Sequence, residues 1–263
     1  MLAKYAETSF THDGKTKPVY VRGQGQAVIV LHELPGITPQ VLRFADWVVE
    51  AGFRVYLPQL TGVAGRPVSF GYYLRVFAGV CISREFALLA AHRSSAVTEW
   101  LRALARHANR ETAGAPVGVV GMCFTGNFAL SMMLEPCLAT AVTAQPSLPL
   151  SYGEGRPAAL HVSPEELHCL KERCARGDKV LGLRFEGDKW CQAPRFETLR
   201  RELGQGFEAI ELPAAAANPD SPNPHAHSVL TNDLIDRHGE PTKEAAKRVI
   251  AFLQAHVSAA LQA

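Results

Sequence analysis

Val119-Val120-Gly121-Met122-Cys123-Phe124-Thr125-Gly126-Asn127 carries an apolar run into a helix-forming segment through one residue flanked by glycines. Val117 to Val120 reads as a strand buried on both faces, and a helix follows through Leu134. So sharp a strand-to-helix turn is the geometry of a nucleophile elbow, usually written G-x-S-x-G, here with cysteine at its centre. The turn is strained and tips its central side chain over the carboxyl edge of the sheet. Neighbours at −2 and at +2 or +3 must be small, because the strand and helix backbones nearly touch. Cys123 would stand just before a helix N-terminus, where the dipole favours a thiolate and the Phe124 N–H can hold an oxyanion. The plainer alternative is a buried core cysteine in a glycine-rich turn, so the elbow has to be judged by what the rest of the chain supplies.

Outward from the elbow the chain alternates strands and helices. Val28 to Leu31 is a second buried apolar run. Thr38 can cap a helix through Glu50 with Pro39 at its first position; Gly52 ends it, and Phe53 to Leu57 is the next strand. This strand–helix–strand rhythm implies a parallel sheet. Gly62 to Ala78, rich in glycine and aromatics with weak periodicity, reads as loop. Arg84 to His107 has helical spacing. Leu138 to Ala144 is a strand ending at Gln145-Pro146-Ser147. Then come a helix from Pro164 to Arg176, a strand from Lys179 to Phe185, a helix from Pro194 to Leu203 and a last strand from Phe207 to Leu212. Lys243 to Leu261 reads as an amphipathic C-terminal helix. The expected architecture is one α/β domain over residues 1–263, with a mostly parallel central sheet and helices on both faces.

Composition bounds the function. A chain of 263 residues, 47% hydrophobic and 20% charged, is ordinary globular usage and excludes a disordered, collagenous or coiled-coil protein. A net charge of +2 is too small to imply a nucleic-acid partner. The six cysteines contain no C-x-x-C pair and read as reduced thiols, and Met1 to Glu7 lacks the apolar run of a signal peptide. The expected location is therefore cytoplasmic. Thr112 to Leu134 is uncharged for 23 residues, long enough to span a bilayer, but its four glycines, proline and asparagine fit a strand, turn and helix better. No membrane association is expected.

Partners for Cys123 follow in the order nucleophile, acid, base that α/β-hydrolase triads keep. The strand at Leu181 to Phe185 runs into Glu186-Gly187-Asp188, placing an acid, and His225-Ala226-His227-Ser228 lies after the last strand, placing a base. Glu186 could replace Asp188 and His225 could replace His227. The H-x-H spacing also admits a metal, since alternate residues of an extended strand share a face, but no third ligand has convincing spacing. Neither metal nor cofactor is expected. His32, just after the first buried run, reads as a satisfied structural histidine.

With elbow, acid and base in place, the chain resembles the dienelactone hydrolase family of α/β-hydrolases from about Val28 to the C-terminal helix. His32-Glu33-Leu34-Pro35-Gly36, Gly121 to Gly126, Gly187-Asp188 with Pro194, and His227-Ser228 carry the resemblance. It implies Cys123 as nucleophile, His227 as base and Asp188 as the residue orienting it. Glu33 would engage the resting thiol and swing away when substrate binds, and the N–H groups of Leu34 and Phe124 would form the oxyanion hole. Two departures stand out. Thr125 replaces the family's second glycine, so that the elbow is looser or a hydroxyl faces the site. Thr231 stands where dienelactone-cleaving members have an arginine for the substrate carboxylate, which predicts a less charged ester or lactone. Arg84 and Arg75 are the candidates to compensate.

The resulting expectation is a cysteine-dependent hydrolase of a small-molecule ester or lactone, passing through a thioester and acting as monomer or homodimer. The alternatives are a thioesterase or peptidase on the same site, or a non-catalytic binding protein of the same fold. The segment from Gly62 to Arg84, with Phe70, Tyr72, Tyr73 and Phe77, is expected to line the substrate pocket.

Overall fold

Alternation along the central strands shows which layers they join. In the computed structural model, which describes residues 1–81, 95–148 and 156–258, Val28 and Val30 enter one core while Ile29 and Leu31 enter another. Likewise Val120 and Met122 face opposite to Val117 and Val119. These are strands buried on both faces, as a parallel sheet between two helical layers requires. The sheet has eight strands: β1 (Ala6–His12), β2 (Lys15–Arg22), β3 (Ala27–Leu31), β4 (Arg54–Pro58), β5 (Val117–Met122), β6 (Leu138–Ala144), β7 (Lys179–Phe185) and β8 (Phe207–Leu212). Their order is β1-β2-β4-β3-β5-β6-β7-β8, with β1 and β2 antiparallel and all strands from β4 to β8 parallel. This is the α/β-hydrolase arrangement.

On one face lie α1 (Pro39–Glu50) and α7 (Pro241–Leu253), which contribute Phe44, Val48, Val249 and Phe252. On the other lie α3 (Ala96–Glu111), α4 (Phe124–Met132), α5 (Pro164–Ala175) and α6 (Ala193–Leu203), with Trp100, Leu104, Phe128, Leu170 and Phe196. Thr38 caps α1 by accepting the Val41 N–H at 3.3 Å. None of the described helices is long and apolar enough to cross a membrane; Thr112 to Leu134 is β5 and α4.

Three elements differ from the sequence reading. The hairpin β1–β2 was not anticipated, although Asp13 (φ 47°) and Gly14 (φ 69°) form the Asp-Gly turn that strand-pairing twist favours. The segment read as loop contains α2 (Phe70–Cys81). Its inward positions Tyr72, Tyr73, Val76, Phe77 and Val80 do keep helical spacing, but Phe70 (83% exposed) and Leu74 (53%) put apolar residues on the outer face and blur the stripe. The helix expected over Arg84 to His107 is described only as α3 from Ala96; Arg84 lies outside the described residues. The C-terminal helix starts at Pro241 and gives way to a π-helical turn at Gln254–Ser258.

Candidate active site

Cys123 lies between β5 and α4 with φ 56° and ψ −126°, a conformation rare outside glycine and typical of strained functional turns. The surrounding backbone holds it there. Its N–H donates to the Ala144 carbonyl at 3.0 Å, and its carbonyl accepts the N–H groups of Gly126 (3.0 Å) and Ser147 (3.2 Å). A Cβ on Gly121 would lie 2.3 Å from the Thr125 carbonyl oxygen, and one on Gly126 would lie 2.8 Å from Thr143 Oγ1. Smallness is thus demanded at −2 and +3, and position +2 is free to carry a side chain.

Thr125 uses that freedom inwardly, so its hydroxyl does not face the site and the elbow is not loosened. Oγ1 accepts the Met122 N–H (2.9 Å), and its proton has the carbonyls of Met122 (2.8 Å) and Leu31 (3.1 Å) within reach. The threonine stitches the elbow to the end of β3. Thr125→Val, of similar shape, leaves a buried donor and acceptors unpaired. It is expected to lower stability by about 1–3 kcal/mol in urea unfolding.

Asp188 and His227, the acid and base expected from the sequence, come together after β7 and β8. His227 Nδ1 lies 2.7 Å from Asp188 Oδ2, and Asp188 Oδ1 accepts the N–H groups of Trp190 (2.8 Å) and Cys191 (3.1 Å). The Trp190 ring stands edge-on to the imidazole, 4.9 Å between centroids. Burial opposes charge on both groups. Even so, the His227 imidazolium and the two backbone donors hold the Asp188 carboxyl below its ordinary range. For His227, burial is outweighed by Asp188 and Cys123, which hold the imidazolium well above the usual histidine range. Nε2 of His227 is buried with no well-formed hydrogen bond among the described residues, while Cys123 is near enough to act on it. The alternatives lie elsewhere: Glu186 is exposed, and His225 is exposed with Nε2 accepting from Lys189 Nζ at 2.9 Å. Among the described residues no group of three His, Cys, Asp or Glu side chains could hold a metal ion.

Leu34 follows β3 and Phe124 opens α4 next to Cys123, and among the described residues neither N–H is seen to donate to another protein group. Phe124 opens α4, where N–H groups lack intrahelical partners.

Glu33 is buried after β3, but its carboxylate bonds elsewhere than to the sulfur. Oε1 accepts from Thr231 Oγ1, and Oε2 accepts from Ser228 Oγ (2.8 Å) and Gln145 Nε2 (3.2 Å). Thr231, read from sequence as a substrate-binding position, is buried in this cluster and lines none of the cavity described below; its hydroxyl is satisfied by Glu33. Cys123 Sγ instead lies 3.2 Å from Ser147 Oγ. Sequence reasoning missed Ser147, Gln145, Ser228 and Trp190 as site residues. The one signal for the first two was their position directly after β6, at the edge where α/β sites form.

His32 is the structural residue its position suggested. Nδ1 donates to the Glu33 carbonyl at 2.8 Å, and Nε2 accepts the N–H groups of Leu60 (3.0 Å) and Thr61 (3.4 Å). Burial pushes its pKa down to about 4 from 6.5, so the folded protein keeps it neutral. As pH falls below 6.5 the unfolded chain takes up a proton that the folded one refuses. This residue therefore removes about 3 kcal/mol of stability between pH 7 and pH 4. His32→Gln should flatten the pH dependence of unfolding over that window; an unchanged slope would refute the neutral assignment.

A cavity of about 560 Å³ opens beside Phe124, walled by Leu60, Tyr72, Val76, Val80 and Phe128, with Arg66 and Arg75 also on its lining. Most of this wall belongs to α2 and the segment before it.

The model of the dienelactone hydrolase family matches residues 15–166, more than half of the chain. No curated protein matches it significantly. Among solved structures, a dienelactone hydrolase candidate from Klebsiella pneumoniae is 19% identical with a TM-score of 0.60, covering 96% of this chain and 98% of that one. A dienelactone hydrolase-like promiscuous phosphotriesterase from metagenomic libraries is 14% identical with a TM-score of 0.60 over 96% and 98%. A cold-adapted esterase from an Arctic intertidal metagenomic library is 15% identical with a TM-score of 0.59 over 95% and 93%. At these identities the structural likeness speaks for the fold, and the family model carries the membership: the chain belongs to the dienelactone hydrolase family and is a carboxylic ester or lactone hydrolase of the α/β-hydrolase fold.

Proposed function

We propose that the protein hydrolyses a small ester or lactone through a Cys123 thioester, with His227 as general acid and base and Asp188 orienting it, within one α/β-hydrolase domain. The observation that carries this reading is the strained Cys123 at the start of α4 in the electrostatic reach of a His227 bonded to Asp188 at 2.7 Å. Sγ attacks the carbonyl carbon, and the oxyanion takes the N–H groups of Leu34 and Phe124. The carbon–oxygen bond to the alcohol then breaks, and the departing alkoxide takes the proton from Nε2 of His227. Nε2 next removes a proton from water, the hydroxide adds to the thioester, the carbon–sulfur bond breaks, and the thiolate–imidazolium pair is restored.

The apolar wall of the 560 Å³ cavity favours an apolar or aromatic body on the substrate. With Thr231 engaged by Glu33, no bidentate clamp stands at the family's arginine position, so a less charged ester is preferred. The test is turnover of p-nitrophenyl acetate before and after alkylation by iodoacetamide, with the modified cysteine mapped by mass spectrometry. Loss of turnover with label on Cys123 supports the reading. Full turnover with Cys123 labelled refutes the cysteine mechanism, and absence of turnover before labelling would leave a binding role.

A further inference from the structure

The Glu33 carboxylate is tied on both oxygens, and each of its partners is itself fixed. The Ser228 N–H donates to Asp233 Oδ2 at 2.6 Å, and the His227 N–H donates to the same oxygen at 2.9 Å. The Thr231 N–H donates to the Ser228 carbonyl at 3.2 Å, and the Thr231 carbonyl accepts from Arg43 Nη2 at 2.9 Å. The Gln145 N–H donates to the Leu183 carbonyl at 2.6 Å. Ser228 and Thr231 stand one and four residues after His227, so a carboxylate bonded to both side chains spans the turn that carries the base.

The sulfur's surroundings are built from a different segment. Ser147 Oγ lies 3.2 Å from Sγ, and the Ser147 N–H donates to the Cys123 carbonyl at 3.2 Å. Its own carbonyl accepts from Asn127 Nδ2 at 3.0 Å. Buried Arg195 of α6 donates to the carbonyl of the preceding Pro146. The serine is therefore held from both sides with its hydroxyl on the sulfur.

Resting on the Cys123 reading above, we propose that Ser147 Oγ is the side-chain partner of the resting sulfur, and that Glu33 is a strut locking the His227 turn. In this protein Cys123 is consequently reactive before any substrate binds. A carboxylate beside a thiolate would disfavour it by like charge, whereas a hydroxyl donates a hydrogen bond to it. Thr231 then has a positive role: where an arginine would reach for substrate, its hydroxyl keeps Glu33 on the turn. Ser147 touches the reacting atom and is catalytic; Glu33 and Thr231 act through His227 and are positioning residues.

The experiment measures the rate of Cys123 carboxamidomethylation by iodoacetamide in the substrate-free enzyme at pH 7, together with kcat and KM for p-nitrophenyl acetate. Ser147→Ala should slow alkylation about fivefold or more, and Ser147→Thr should restore it in part. Glu33→Gln should leave alkylation within about twofold while lowering kcat about tenfold at nearly constant KM, because the base is misplaced and the sulfur is not. Should Glu33→Gln not fold, Thr231→Val carries the same expectation, with recovery of kcat in Thr231→Ser. An alkylation rate that rises about tenfold in Glu33→Gln would mean the carboxylate quenches the thiol after all, and would overturn the proposal. So would an unchanged rate in Ser147→Ala, or equal kcat in Thr231→Val and wild type. These outcomes differ from the failure of the nucleophile reading itself, which would appear as unimpaired turnover once Cys123 is fully alkylated.

Discussion

Cys123→Ala is expected to abolish turnover of an activated ester, lowering kcat by about a thousandfold or more while the protein stays folded. The fold should survive because the positive φ at this position is held by backbone bonds to Ala144, Gly126 and Ser147 that alanine keeps. The side chain lies within hydrogen-bond distance of Ser147 Oγ, a contact the fold does not depend on. Chemical modification should favour the same residue over Cys137, Cys174 and Cys191. Burial pushes the Cys174 thiol up to about 11, and it raises Cys137 and, further still, the fully buried Cys191. At pH 7 those three are almost entirely protonated and therefore poor nucleophiles. Cys123 instead sits at a helix N-terminus beside an imidazolium. Kinetics of p-nitrophenyl acetate hydrolysis, with circular dichroism as the control for folding, check the prediction. Turnover near wild type in the alanine variant would remove the sulfur from the mechanism.

The parallel half of the sheet was legible because its strands announce themselves. Val28 to Leu31 is apolar without alternation, and Leu138 to Ala144 is broken only by Thr140 and Thr143; only a strand covered on both faces needs such a run. The elbow was legible for a steric reason that the structure makes explicit at Gly121 and Gly126, where any Cβ would collide with backbone or side chain. Chain order then picked out Asp188 and His227. What stayed hidden has physical causes. The hairpin β1–β2 is half exposed and polar, so its hydrophobic signal is weak and only Asp13-Gly14 marks it. Helix α2 was masked by outward-facing Phe70 and Leu74. Ser147 and Ser228 are small polar residues in loops, a type that sequence alone cannot distinguish from turn formers. Their roles come from tertiary contacts with Cys123 and Glu33, separated from them by 24 and 195 positions. The partner of Thr231 was equally invisible: a comparison of positions registers a missing arginine, and only the fold reveals that the hydroxyl has a buried carboxylate to serve.

His227→Ala should cost about a hundred- to ten-thousandfold in kcat/KM, and His225→Ala about twofold at most. The two histidines are two residues apart, yet the chain sends them to opposite environments. His225 is exposed and bonded to Lys189, whereas His227 is buried against Asp188 and Trp190. The imidazolium of His227 is held above the ordinary 6.5 against burial, by Asp188 and then Cys123. Acylation, which uses the proton on Nε2 for the departing alkoxide, should therefore persist above pH 6.5 and decline only as that proton is lost. Asp188→Asn removes the charge that holds the proton, so the alkaline limb of kcat/KM should move to lower pH. Stability follows the same pair with opposite limits. The raised His227 contributes fully below pH 6.5, and its contribution is lost as pH rises through its folded value. The depressed Asp188 contributes above 3.8 and is lost as pH falls through its own. The pair thus stabilises most between about pH 4 and 6.5, and Asp188→Asn should lose most stability there. An alkaline limb that stays in place in Asp188→Asn, or an inactive His225→Ala beside an active His227→Ala, would show that the proton travels by another route.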